Sequence, residues 1–290
     1  MHHQIPTEAG IGLRGIHHDL VANSSPRVSW WEVHTENFFA EGGAALAFLR
    51  KVAALYPISF HGVGLSLGSI DLPDIEHLKK TKSLVDEFKP GLVSEHISWG
   101  QYNGIHTNDL LPLPYNRESL EAITRNIDCV QNFLGRQILV ENPSSYIQFT
   151  SATMTEPEFI AKIIEKSKCG LLLDINNIYV TCHNNKSNTL KYIENIDPAW
   201  VQEIHLAGHI RVSKNLLFDT HSTKVCEDVW GLYEVAIQKL GPIPTLIEWD
   251  SNVPALEVLQ QEAAKAQAIM NKYDFKMKAD ESQRVTERIC

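Results

Sequence analysis

Short β-type runs alternate with longer helical stretches along almost the whole chain. Apolar runs lie at 10–13, 29–34, 58–61, 91–96, 137–141, 170–175, 201–206 and 244–249, eight in all. Helical periodicity fills most of the intervals, at 43–55, 75–88, 117–134, 156–166, 189–196 and 226–240, and a last helix follows at 255–272. The first interval is the least regular, with only a short helix around 18–24. Alternation of this kind implies right-handed βαβ units and a parallel sheet. Eight units predict an α/β fold closed as a (β/α)8 TIM barrel, a single domain over 1–272, with apolar layers filling the interior. The segment 273–290 is charged, loses the apolar period, and is expected to be a loosely ordered tail.

Composition narrows the function classes. Lys and Arg number 26 against 35 Asp and Glu, a net charge of −9. Phosphate neutralisation needs a basic face, so nucleic acid is not an expected partner. No apolar run reaches the length of a membrane helix, and no signal peptide is visible, so the expected compartment is the cytoplasm. Five cysteines, widely spaced and without a CxxC pair, argue against a disulfide framework and a thiolate zinc site.

The chemistry-bearing residues gather where such a barrel places its active site, at the C-terminal ends of the strands. In order these are Glu32, His34, Glu36 and Asn37; His61; Glu95 and His96; Glu141 and Asn142; Asp174, Asn176 and Asn177; His205; and Glu248 and Asp250, with Asp219 and His221 in the loop after the seventh run. Glu141, Asp174, Asp219 and Glu248 would bring four carboxylates to one mouth. Like charges in one site are costly, and desolvation adds to the cost. The side chains around them are His61, His96, His205 and His221, and no Lys or Arg lies at the ends of strands three to eight. Metal ions are the natural counter-charge, so the eight residues are read as ligands of a multinuclear site. Imidazole and carboxylate suit iron, manganese and zinc alike.

Other features have plainer readings. The glycines of HGVGLSLGS (61–69) let the backbone pass close to the site or to a substrate. NDLLPLPY (108–115) reads as an extended loop on the active-site side, a lid or groove wall or simply packing. His17 and His18 are not taken as ligands. His77 is expected to be solvated on its helix, and His106, His183 and His209 fall in loops. Cys169 begins its strand, at the wrong face of the barrel.

EVHTENFF (32–39), HGVGLSLGS (61–69), SEHISW (94–99), LLPLPY (110–115), ENPSSY (141–146), LLLDINNIYV (171–180), EIHLAGH (203–209), DTH (219–221) and IEWD (247–250) occur in that order along the chain. With them it resembles the multinuclear non-haem iron-dependent oxidative enzymes, relatives of methanobactin-biosynthesis protein B, and most of all their bacterial branch associated with bufferin-type peptides. CHNNK at 182–186 departs from the Asn-His-Gly of relatives, in a segment read as a loop.

The resemblance implies a TIM barrel holding two or three iron ions, with zinc or manganese as possible substitutes. Carried over by motif, the metal ligands are His61, His96, Glu141, Asp174, His205, Asp219, His221 and Glu248, with Asn177 a further candidate; Glu36 and Asn37, at the end of strand two, are read as groups orienting ligands. The implied substrate is a cysteine of a ribosomally made precursor peptide, delivered by a partner protein that recognises its leader. The implied chemistry is oxygen-dependent oxidation to an oxazolone–thioamide or thiooxazole-type product. Three other functions compete: a divalent-metal hydrolase or isomerase of the same barrel class, endonuclease-like or sugar-isomerase-like; a glycosidase using Glu141 and Glu248; and a non-catalytic metal store.

Overall fold

The computed structural model describes residues 4–287, with side chains through 275. Eight parallel strands close a barrel: β1 (Ala9–Gly12), β2 (Trp31–His34), β3 (Ile58–His61), β4 (Leu92–His96), β7 (Leu139–Glu141), β8 (Gly170–Asp174), β9 (Val201–Leu206) and β12 (Thr245–Ile247). Their spatial order is β1-β12-β9-β8-β7-β4-β3-β2, each strand beside its successor and the last beside the first. The helices α1 (His18–Ser24), α2 (Ala44–Ala53), α3 (Ile75–Phe88), α4 (Arg117–Leu134), α5 (Glu156–Ser167), α6 (Ile175–Asn185), α7 (Thr189–Glu194), α8 (Glu227–Leu240) and α9 (Leu256–Glu287) make up the helical complement. The tail expected at 273–290 lies largely outside the residues whose side chains are described. No helix among the described residues is long and apolar enough to cross a membrane.

Local chemistry explains the helix boundaries. In α4 the buried positions Leu120, Ile123, Ile127, Val130 and Leu134 recur at helical spacing. Asn116 caps its N-terminus by accepting from Ser119 N at 3.0 Å, and Gly135 ends it with φ 71°. Thr155 and Glu158 form a reciprocal capping box at the start of α5. The main apolar core joins these helix faces to the outward faces of the strands.

The interior departs from the expected apolar filling. Its floor is apolar: Trp30 packs with Ile5 and Leu246, and its indole lies where a Cβ on Gly10 would sit, 2.3 Å away. Above it the lining turns polar. Glu32 is in register with Gly12 and with Ser59, and Ser59 Oγ donates to Glu203 Oε2 at 3.3 Å; Glu32, Ser59 and Glu203 are all fully buried.

Three local expectations change. The segment after Asp174 is helix rather than loop: the Asp174 carboxylate accepts from Asn177 N at 2.6 Å, so strand runs straight into helix. It therefore places 182–185, and His183, in α6. Two hairpins emerge from the mouth, β5 (Trp99–Tyr102) with β6 (Ile105–Leu111) and β10 (His209–Ser213) with β11 (Leu216–Asp219). His106 and His209 lie in these strands, and the extended loop read over 108–115 begins only after Leu111.

Candidate metal centre

The strand ends bring the candidate residues together. His61, His96 and Glu141 form one donor group, Glu141, Asp174 and His205 a second, and Asp174, His221 and Glu248 a third, each with donor atoms within 4.8 Å of one another. Glu141 and Asp174 each belong to two groups, so the three are continuous. Asp219 joins at the rim, its Oδ1 2.8 Å from His221 Nε2. Asn177 is buried beside Glu141, donating Nδ2 to Glu141 Oε1 at 3.3 Å.

Each side chain is held by its surroundings. His61 Nδ1 meets the Ser94 hydroxyl at 2.8 Å and His96 Nδ1 the Gly62 carbonyl at 3.2 Å, which turns both Nε2 atoms toward Glu141. Those atoms lie 3.4 and 3.2 Å from Glu141 Oε2. Glu95 fixes the loop beyond His61 by accepting from Leu65 N at 2.9 Å, and a Cβ on Gly62 would meet that carboxylate at 2.9 Å. Glu36 accepts from Val63 N at 3.0 Å and pairs with His77 at 3.2 Å. His77 is thus half-buried against Glu36, not solvated, while Asn37 is exposed. On the far side His221 takes φ 44°, a left-handed conformation uncommon for a side-chain-bearing residue and found where surrounding structure imposes it. Its carbonyl accepts from Asp250 N and Ser251 N. The Tyr146 hydroxyl accepts from Asp219 N at 2.9 Å, and its ring stacks on Phe218.

The electrostatics match a cluster of donors. Burial, with His96 and His205 nearby, holds His61 well below the usual imidazole range, as a neutral ring. Burial opposes charging His96, but Glu141 and Glu95 raise it to about 9. Burial lifts Glu141 to about 7, and burial with Glu141 lifts Asp174 well above its usual range. Burial also opposes ionisation of Glu248, yet His221 and His205 hold it well below the usual carboxylate range.

The residues fit metal ions. Glu141 Oε2, Asp174 Oδ2, Asn177 Oδ1, His205 Nε2 and His221 Nε2 are buried without hydrogen-bond partners. Buried polar atoms are normally paired, so such orphans need an explanation. Several lie within ion-pair distance of one another yet out of hydrogen-bond alignment, with lone pairs facing lone pairs. Two donors at about 2.1 Å from one ion lie about 3.0–3.4 Å apart, which matches the His61–Glu141 and His96–Glu141 separations.

The sequence reading missed a cation. Arg14, one residue past Leu13 at the first strand's end, donates to Asp250 at 2.6 Å, sits 3.2 Å from His34 Nε2 and lies 3.7 Å from Glu248. The ends of strands three to eight carry no Lys or Arg, and Arg14 stands at the first. The mouth thus has one built-in counter-charge, beside carboxylates that still outnumber it. His17 Nε2 donates to the mouth-loop carbonyl of Pro254 at 2.8 Å, away from the donor groups.

Fold and site together define a (β/α)8 barrel whose strand ends carry grouped metal-capable donors. Residues 8–271 match the model of the family described as RiPP precursor modification enzyme MbnB/TglH/ChrH, and the chain belongs to that family of enzymes acting on ribosomally made precursor peptides. It is 46% identical over 270 residues to a UPF0276 protein of Chromobacterium violaceum, covering 93% of this chain and 97% of that one. It is 43% identical over 273 residues to the UPF0276 protein VP3015 of Vibrio parahaemolyticus, covering 93% and 95%. Among solved structures it is similar in fold to the 3-keto-D-glucoside 4-epimerase of E. coli, with TM-score 0.58, 11% identity and coverage of 90% and 99%. That likeness concerns the barrel alone.

Proposed function

We propose that this protein is an oxygen-dependent iron enzyme that modifies a cysteine of a precursor peptide, with a partner protein delivering the peptide. The observation that carries the reading is the continuous row of buried donors from His61 to His221, in which Glu141 Oε2, Asp174 Oδ2, Asn177 Oδ1, His205 Nε2 and His221 Nε2 have no hydrogen-bond partner. Its ligands are His61, His96, Glu141, Asp174, Asn177, His205, Asp219, His221 and Glu248. Iron, when bound, supplies the redox equivalents and open positions that oxidation of a thiol requires. The chain's own residues do the rest. Ser94 and the Gly62 carbonyl orient His61 and His96. Asn176 bridges His209 and Asp219, its Oδ1 accepting from the ring at 2.7 Å and its Nδ2 donating to the carboxylate at 2.8 Å. The two hairpins wall the mouth where a peptide would enter. Family membership supports a peptide substrate, and the N/O donor set without cysteine suits iron.

The test is single-turnover reaction of iron-loaded protein with a cysteine-containing precursor peptide and its delivery partner. Oxygen uptake and a mass decrease on the cysteine are expected, and replacing that cysteine with serine should abolish both. Equal turnover under strict anaerobiosis, with no other oxidant, would overturn the reading in favour of a metal hydrolase or isomerase.

A further inference from the structure

The second hairpin turns an apolar face to solvent. Ile210 of β10 pairs directly with Phe218 of β11, and Val212 and Leu216 lie two residues further along each strand on that same face. All four side chains are exposed. The opposite face is the packed one: Leu217 is fully buried, and the His209 ring stacks on Tyr179 of α6. A solvated sheet face is normally polar, so four apolar side chains together there mark a docking surface. Charge marks the same place. Between His209 and Phe218 the hairpin carries Arg211 and Lys214 and no Asp or Glu, in a chain of net charge −9. The two backbone edges differ. On β11, Leu217 exchanges both its backbone bonds with the Asn184 side chain, at 2.9 and 3.0 Å, and Asp219 N donates to the Tyr146 hydroxyl. On β10, the His209 carbonyl accepts from Thr223 Oγ1 at 3.3 Å. Arg211 stands opposite Leu217, so its N–H and C=O turn away from β11, and the residue is exposed.

We infer that this hairpin docks the precursor peptide: a segment beside the reacting cysteine, apolar at alternate positions and acidic between them, adds as a strand to the β10 edge at Arg211. The backbone bonds at Arg211 set its register, and Ile210 and Val212, backed by Leu216 and Phe218, meet its apolar side chains. Its acidic side chains, on the other face, meet the basic hairpin. Arg211 lies two residues beyond His209, which pairs with Asp219 at the rim of the donor groups, so a docked strand reaches the mouth within about 7 Å. A stable interface with a folded partner takes about 20–30 residues a side, whereas four side chains and one open edge fit a strand. The first hairpin lacks the combination. Tyr102 and Ile105 are exposed there too, but Asp71 lies against the turn, accepting from Asn103 N at 2.7 Å. The inference rests on the reading of a precursor peptide as substrate.

Unreactive probes test it on the full chain loaded with Zn2+: two short synthetic peptides with serine in the cysteine's place, valine alternating with glutamate in one and with lysine in the other. Amide shifts of 15N-labelled protein, followed up to about 1 mM peptide, give each affinity. The glutamate peptide should bind and move the Arg211 amide, and the lysine peptide should bind at least about tenfold more weakly. Val212→Ser should weaken the glutamate peptide about tenfold. Arg211→Glu should turn the preference toward lysine, and Tyr102→Ser on the first hairpin should change nothing. N-methylation of the peptide at one alternate set of residues should abolish binding, and at the other set should leave it. Absence of shifts at that concentration, equal affinity for the two peptides, an unmoved Val212→Ser, a Tyr102→Ser loss as large as that of Val212→Ser, or tolerance of both N-methylated forms would each overturn the inference. The measurement needs neither oxygen nor turnover. Docking without oxygen uptake by the iron-loaded protein fails the oxidation alone. Oxygen uptake on a delivered precursor whose KM ignores both Val212→Ser and Arg211→Glu fails the docking alone.

Discussion

On the β3–β4–β7 flank of the mouth, His61 and His96 lean on a hydroxyl and a backbone carbonyl, and Glu141 brings a carboxylate between them, with Glu95 Oε1 3.4 Å from His96 Nδ1. On the β9–β12–β1 flank, His205 and His221 stand among Glu32, Glu248, Asp219 and Asp250, and Arg14 adds a fixed cation. The first flank is built from imidazoles and needs an ion chiefly as an organiser. The second is built from charge. Its histidines are held protonated by Glu32, Glu248 and Asp219 against the cost of burial. Where metal ions are absent, protons and Arg14 balance the acids, so metal uptake on this flank is an exchange of cations.

The strongest way to break the comparison is to remove the residue the flanks share. Glu141 belongs to both the histidine-rich group and the group with Asp174 and His205. Glu141→Ala should lose up to two ions and drop activity by at least about 100-fold, while the chain stays folded on its apolar helix–strand core. Elemental analysis and circular dichroism check both halves. Native metal content would mean that the flanks are independent sites and that Glu141 bridges nothing.

The barrel was legible because its signal is repeated: eight apolar runs, each followed by helical spacing, leave few other architectures. The donor residues were legible for a related reason, since strand ends in this fold converge wherever they fall in sequence. What escaped was set by tertiary contacts. INNIYVTCHNN has Asn and β-branched residues of weak helix propensity, and it becomes α6 because Asp174 caps it and Ile175, Ile178 and Cys182 bury themselves. The first hairpin did carry a local signal, Asn103–Gly104 with φ of 49° and 73°, the two-residue turn that joins Tyr102 to Ile105. The second hairpin has no such dipeptide. The polar interior around Glu32 and Glu203 reads as ordinary strand in sequence, because inward and outward residues alternate without marking which face is the core.

A smaller effect sharpens the contrast from the charged side. Arg14→Met removes the fixed cation but keeps much of its packing volume. Charged hydrogen bonds are worth about 1.5–3 kcal/mol each, and Asp250, with its side chain 32% exposed, recovers part of that from water. Metal-free Arg14→Met should therefore unfold with about 1–2 kcal/mol less stability in urea. Metal-loaded protein should lose less, since ions take over the balance. An equal loss in both states would show that Arg14 serves packing and not charge.

The last expected effect is a slope with pH. His96 is raised to about 9 from a usual 6.5, so its stabilising share is complete below about pH 6.5 and is lost as pH climbs through 9. Glu141, raised to about 7 from 4.5, favours the folded chain only while protonated, so its share is lost as pH rises from about 4.5 through 7. His205 and His221 are also raised and carry the same sign as His96. His61 and Glu248 are depressed, so their shares are lost only on the acid side, as pH falls. Between about pH 6.5 and 9 the raised groups all act one way, and metal-free protein should weaken steadily. A bound ion replaces the protons that these groups would otherwise hold, and competes better as they leave. The difference in Tm between loaded and metal-free protein should thus widen from pH 6.5 to 9. A difference that stays flat or shrinks over that interval would mean that the ions do not sit where those protons are.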